Sequence, residues 1–235
     1  MPVRLLFSVT IPRMKTKALL FDFDGLILDT ETPEFEVWQA IYREYNHELL
    51  AETWGQIVGG WGASHFDAAE HLVELVGDGL NVEGLRARHK SESDALTLSQ
   101  PILPGVVDYL DDARRLGLRL AIASSSPHSW VDTHLSRLGL THRFPAVICR
   151  DDVAPGRTKP HPDLFLKALD AVSAKPDEAI VFEDSPNGVK AARAAGIFVV
   201  SVPNPMTALL KTNGANLTLS SLADLPLEHL LNDFV

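Results

Sequence analysis

Ala18-Leu19-Leu20-Phe21-Asp22-Phe23-Asp24-Gly25 carries the main architectural signal of the chain. It begins as an apolar run of the kind that forms a buried parallel strand. It then delivers two carboxylates, Asp22 and Asp24, and reaches Gly25. Residues i and i+2 of an extended segment point to the same side. Both carboxylates therefore project from the end of a central strand into one crevice. Two anions side by side next to a core are costly unless a cation sits between them or they share protons, which is a first pointer to a metal. On its own, Asp-x-Asp reads equally well as the polar end of an edge strand with Gly25 as an ordinary turn residue, so the rest of the chain has to decide.

On the N-terminal side, residues 1–16 read as an extension. Its apolar part is short and interrupted by Pro12, no small-x-small cleavage site follows, and Met14 offers an alternative start. On the C-terminal side the pattern turns helical. Phe35, Trp38, Ile41, Tyr42 and Tyr45 recur at helical spacing, as do Phe66, Ala69, Leu72, Val73 and Val76 after a glycine-rich loop at 58–63. A third helix is expected over 82–95. With no strand-like run to interrupt it, the block 33–98 reads as an all-helical domain inserted after the first strand. The segment Leu98-Ser-Gln-Pro-Ile-Leu-Pro-Gly105 leads out of it as a hinge.

From there strands and helices alternate, which predicts an α/β core of residues 17–32 and 99–235 with a parallel sheet covered on both faces. Strands are expected at 118–123, 146–149, 179–182 and 197–202. Helices are expected at 106–116, 127–138, 162–172 and 186–195, the last capped by Ser185 and closed by Gly196. The tail, with Leu222, Leu225, Leu227 and Leu230, reads as turns and a final helix.

The 235 residues suffice for one large domain with an insertion, and a formal net charge of -10 argues against a nucleic-acid surface. The acidity leaves a phosphorylated small molecule open as a substrate, because a bound divalent cation reverses the local field. The lone Cys149 lacks metal-site spacing and reads as a buried strand residue of a cytoplasmic protein. No stretch is long enough to span a membrane. A monomer is the expected state, with an oligomer left open.

Three polar clusters share one placement, after an apolar strand and before a helix: Asp22 with Asp24, Ser124-Ser125-Ser126, and Glu183-Asp184-Ser185. Ligands of open α/β sheets sit outside the carboxyl ends of the strands, so these clusters should converge. Arg157-Thr158-Lys159-Pro160 adds a lysine ahead of another helix. Asp22-Phe23-Asp24-Gly25 with Thr30, Ser124, Lys159-Pro160 and Glu183-Asp184-Ser185 resemble, in order, the four motifs of the haloacid dehalogenase-like superfamily. The inserted helical block resembles the subfamily that contains β-phosphoglucomutase and many small-molecule phosphatases.

That resemblance implies a Rossmann-like core with a helical cap and a set of roles. Asp22 is implied as the nucleophile that forms an aspartyl-phosphate, and Asp24 as general acid and then base. Ser124 and Lys159 are implied to hold the phosphoryl oxygens. Mg²⁺ is implied between the Asp22 side chain, the Asp24 carbonyl and Asp184, with Glu183 orienting a metal-bound water. Glu34, Trp38 and Trp61 are the cap residues placed to meet a substrate, with Trp38 equally readable as packing between cap helices. Thr30 is expected to orient the first loop or to bond its own backbone. The scattered histidines read as surface or capping residues, and Trp130 as core. Asp151-Asp152 reads as a solvated turn, and Arg157 as a residue near enough to Lys159 to touch an anionic substrate.

Two departures bear on substrate. Sugar-phosphate mutases of the subfamily carry a histidine near the first hinge, where this chain has Glu34, and a basic cap loop, where it has Gly59-Gly60-Trp61-Gly62. A substrate with two phosphates needs that charge. The expectation is therefore a Mg²⁺-dependent phosphatase of a small phosphorylated metabolite, with a β-phosphoglucomutase-like mutase as the alternative. A non-catalytic phospho-Asp receiver is the second alternative, against which the helical insertion and Asp24 argue. A dehalogenase has no need of Asp24, Lys159 and Asp184 together.

Overall fold

The computed structural model describes residues 16–58, 66–77 and 79–235. The expected extension, apart from its last residue, and the cap residue Trp61 lie outside the described residues. The first strand, β1 (Ala18–Phe21), is fully buried. It lies at the middle of a parallel sheet with β2 (Arg119–Ala123), β3 (Ala146–Ile148), β4 (Ala179–Glu183), β5 (Phe198–Ser201) and β6 (Leu217–Thr218), in the order β3-β2-β1-β4-β5-β6. Central position explains the unbroken apolar run, because a strand covered on both faces has no solvent side to alternate toward. The pleat still sorts the side chains. Leu19, Phe21, Ile122, Ile180 and Phe182 pack into one buried cluster. Ala18, Leu20, Ala121, Ala123, Ala179 and Val181 pack into another, on the opposite face. The two-residue strand β6 has too short an apolar run to be read from sequence.

Between β1 and β2 come α1 (Glu31–Glu44), α2 (Ala51–Trp54), α3 (Ala68–Val76), α4 (Val82–Ser99) and α5 (Val106–Leu116). The first four surround a separate apolar cluster built on Phe35, Trp38, Ile41, Tyr42, Trp54, Ala69, Leu72 and Leu85. Here the helical period of the sequence becomes a packed stripe. The helical block touches the sheet-bearing part at defined points: Met206 joins its cluster, and Asn187 Nδ2 donates to Val58 O at 2.9 Å. The remaining helices are α6 (His128–Arg137), α7 (Asp163–Ala171), α8 (Pro186–Ala194) and α9 (Leu227–Asp233). The expected cap of α8 is present, since Ser185 Oγ accepts from Gly188 N at 3.0 Å. No helix among the described residues is long and apolar enough to cross a membrane.

Candidate active site

Backbone pairing fixes where each polar cluster emerges. Asp22 N donates to Phe182 O at 3.0 Å, Ser124 N to Ile148 O at 2.9 Å, and Val202 N to Glu183 O at 2.7 Å. Asp22, Ser124 and Glu183 are thus held in the ladder at one end of neighbouring parallel strands, so residues about 100 and 160 positions apart share one edge, as ligand sites of such sheets do. After Asp22 the chain turns back on itself, with Gly25 N donating to Leu28 O at 2.7 Å. Gly25 has a φ of +76°, and a Cβ there would lie 2.2 Å from Asp184 Oδ2 and 2.6 Å from Asn204 Nδ2. Only glycine admits both the left-handed backbone and that close approach. Gly188 makes room in the same way for Glu183, whose carboxylate carbon a Cβ would meet at 1.8 Å.

Lys159 is 1% exposed, and its Nζ lies 2.6 Å from both Asp22 Oδ1 and Glu183 Oε1. Burial alone would depress this ammonium's pKa; Asp22 and Glu183 more than reverse that and hold it charged. Asp22 Oδ1 also accepts from Phe23 N at 2.7 Å. Burial and the neighbouring Glu183 push the Asp22 carboxyl up to about 8 in spite of Lys159. Burial and the charges of Asp22 and Glu183 likewise push Asp184 well above the usual carboxylate range. Glu183 is buried, and its second oxygen accepts from Ser185 N and Oγ at 3.3 and 3.2 Å.

Among the described residues, one set of acidic side chains lies close enough to share a cation: single oxygens of Asp22, Glu183 and Asp184, all within 4.8 Å of one another. Asp184 Oδ2 accepts from Asn204 Nδ2 at 2.9 Å, while its buried Oδ1 has no hydrogen-bond partner among the described residues. An orphaned buried carboxylate oxygen beside two more carboxylates, with a single ammonium among them, fits a hard divalent cation.

Asp24 faces the same space with a different set of partners. Its Oδ2 accepts from Ser124 Oγ at 3.2 Å and Ser126 Oγ at 2.6 Å, and its Oδ1 from Trp130 Nε1 at 2.8 Å. From α1, the half-buried Glu31 and Glu34 complete the surroundings. Burial, Glu34, Asp24 and Asp22 raise Glu31 well above the usual carboxylate range. Burial, Asp24 and Asp94 push Glu34 up to about 7 against the pull of Lys90.

The structure therefore brings together Asp22, Asp24, Ser124, Lys159, Glu183 and Asp184, with Glu34 alongside. It places Trp38 inside the helical block, stacked on His89 at 4.4 Å, so the packing reading describes it. Arg157 turns away to pair with Asp163 at 2.8 Å. Thr30 sits at the start of α1 without a side-chain cap bond, and Asp29 Oδ1 instead accepts from Thr32 N at 3.0 Å. Asp151 and Asp152 are more than a solvated turn: Asp151 accepts from His128 N and anchors the start of α6, and Asp152 accepts from Cys149 N just after β3, each at 2.8 Å. Trp130 packs on the core as read, but its N–H reaches Asp24.

Asn204 was not singled out in the sequence. Its Nδ2 bridges Asp184 Oδ2 and Gly25 O, and its Oδ1 accepts from Met206 N and Thr207 N, both at 2.9 Å. A signal is present, since Asn204 comes shortly after a strand, as Asp22, Ser124 and Asp184 do. Glu31 and Ser126 carry weaker sequence marks than Glu34 and Ser124 but lie in the same site.

Comparison with known proteins bears on the family and the fold. A protein-family model described as "haloacid dehalogenase-like hydrolase" matches residues 16–196. "Putative phosphatase YhcW" of Bacillus subtilis is 41% identical over 216 residues, covering 92% of this chain and 96% of that protein. "Fructose-1-phosphate phosphatase YqaB" of Escherichia coli is 32% identical over 186 residues, covering 78% and 95%. Among solved structures, a HAD family hydrolase from Deinococcus radiodurans with bound phosphate and sodium superposes with a TM-score of 0.71 at 26% identity, covering 90% of this chain and 93% of that one.

Proposed function

The chain belongs to the haloacid dehalogenase-like hydrolases, and from that premise we propose that it is a phosphatase that hydrolyses a small phosphate monoester through an aspartyl-phosphate on Asp22. The observation that carries this reading is the meeting of Asp22, Asp24, Ser124, Lys159 and Asp184 at one sheet edge, with Lys159 Nζ 2.6 Å from Asp22 Oδ1. Phe23 N–H and Lys159 both engage Oδ1 of Asp22, so they fix the carboxylate's orientation toward phosphorus. The Asp22 carboxylate forms the new O–P bond as the bond from phosphorus to the ester oxygen breaks. Asp24 gives its proton to the departing alcohol, then takes one from the water that attacks phosphorus and releases phosphate from Asp22. Ser124 Oγ and Lys159 Nζ, beside Asp24 and Asp22, meet the phosphoryl oxygens from where they stand once substrate is present. Asp22, Asp184 and the Asp24 carbonyl would hold Mg²⁺, which when bound would supply charge neutralisation to the phosphoryl group. Glu183 keeps Lys159 in place and would orient a water beside the ion. The helical block of residues 33–98 acts as the cap that excludes bulk water.

Glu31 and Glu34 favour a phosphatase over a mutase, because acids beside Asp24 offer no positive charge to hold a second phosphate group. The close relatives named as phosphatases point the same way. The test is turnover of 4-nitrophenyl phosphate with Mg²⁺. Many turnovers per enzyme are expected, falling by about 10⁴-fold or more in Asp22→Asn. One equivalent of nitrophenol followed by silence would instead identify a receiver that keeps its phosphate. Conversion of β-glucose 1-phosphate to the 6-phosphate without free phosphate would identify a mutase.

A further inference from the structure

Trp130 has a place in this site that neither the family motifs nor the core reading assigns. Its indole Nε1 donates to Asp24 Oδ1 at 2.8 Å, from the first turn of α6. The ring is held from two sides. His134 meets it edge-on at 4.3 Å between centroids, and Lys90 of α4 lies 5.9 Å above its face. Pro127 O accepts from Trp130 N at 3.0 Å and fixes the backbone beneath it.

The chemistry of the three donors around Asp24 is unequal. An indole N–H can only donate, whereas a serine hydroxyl can donate or accept by rotating. Oδ1, facing the indole, must therefore remain an acceptor in every protonation state of Asp24. Oδ2, facing Ser124 Oγ at 3.2 Å and Ser126 Oγ at 2.6 Å, can carry a proton because both hydroxyls can turn to receive it. We propose that Trp130 is a positioning residue: it pins the Asp24 carboxyl group and reserves Oδ2, on the side of the phosphate-binding Ser124, as the oxygen that gives and takes the proton. This rests on the reading of Asp24 as the general acid and base. Removing the indole N–H lets the carboxyl group rotate and lets the proton settle on either oxygen, so that part of the population points its proton away from the leaving group.

Trp130→Phe keeps the ring and removes the donor. An alkyl phosphate such as glycerol 3-phosphate needs a proton on its leaving oxygen, whereas 4-nitrophenyl phosphate leaves without one. The expected result is a fall in kcat/KM of about tenfold for the alkyl ester, the size of one lost hydrogen bond to a charged group, with the aryl ester within about twofold of wild type on the same scale. Equal loss on both esters, or none on either, overturns the proposal by leaving Trp130 a packing residue only. Asp24→Asn separates this from the underlying reading. If that variant still turns over the alkyl ester, the acid/base assignment itself fails. A second measurement stands should Trp130→Phe not fold. The protein has four tryptophans, and in ¹⁵N-labelled enzyme one indole N–H resonance should move upfield in Asp24→Ala as it loses its carboxylate acceptor. Unchanged positions for all four would overturn the contact.

Discussion

Two regions of this molecule pair cations with carboxylates, and they do so under opposite conditions. At the sheet edge Lys159 lies between Asp22 and Glu183, with every partner at most 4% exposed. On the helical block, Arg88 pairs with Glu44 and Glu92, all three at least 39% exposed. The bonding distances are alike, at 2.6 to 2.8 Å. The surroundings are not. Water screens the exposed charges and takes over when a partner is lost, whereas nothing replaces a partner in the interior. The difference teaches that the buried cluster is a set whose members require one another, while the surface pairs are separable.

The comparison breaks most readily at Lys159. Lys159→Met leaves Asp22, Glu183 and Asp184 buried without their cation, and the expected loss is about 3–5 kcal/mol in urea unfolding of the metal-free protein. A loss below about 1 kcal/mol would place the buried set on the same footing as a surface pair. The next largest effect sharpens the account of the remaining negative charge. Adding Mg²⁺ to chelator-treated enzyme at about a hundred times its dissociation constant should stabilise it by about 2.7 kcal/mol. In a chain of this size that is a rise in Tm of roughly 5–10 °C. Asp184→Asn should abolish most of the rise, and a full rise in that variant would move the ion away from Asp184. The smallest effect is on the helical block. Arg88→Gln should change stability by at most about 1 kcal/mol, in an amount that shrinks further with added salt. A loss as large as that from Lys159→Met would remove the contrast.

Much of this was legible in the chain. The unbroken apolar run at 18–21 and the strand–helix alternation after residue 105 gave a parallel sheet, and α5 runs over Val106–Leu116 as its periodicity predicts. The rule that ligands gather at the carboxyl ends of strands brings Asp22, Ser124 and Glu183 together from the sequence. The partners of these residues were harder to read. Trp130 looks like core because its ring is core, and only the rotation of α6 aims its nitrogen at Asp24. Arg157 is near Lys159 in sequence, yet Asp163, six residues on, captures it. Trp38 fits both a packing and a contact reading by spacing, and the position of His89 on α4 decides between them.

Which residue types sit at the ends of which strands follows from the linear chain, because apolar period and strand-end polarity are local properties. Which oxygen meets which donor depends on how the assembled elements pack. The 2.8 Å contact from Trp130 to Asp24, the lodging of Lys159 between two acids and the bond from Asn204 to Asp184 join residues 20 to 137 positions apart. Hydrogen bonds and ion pairs act over about 3 Å, and linear spacing does not specify distances on that scale between elements that meet only when the sheet is assembled.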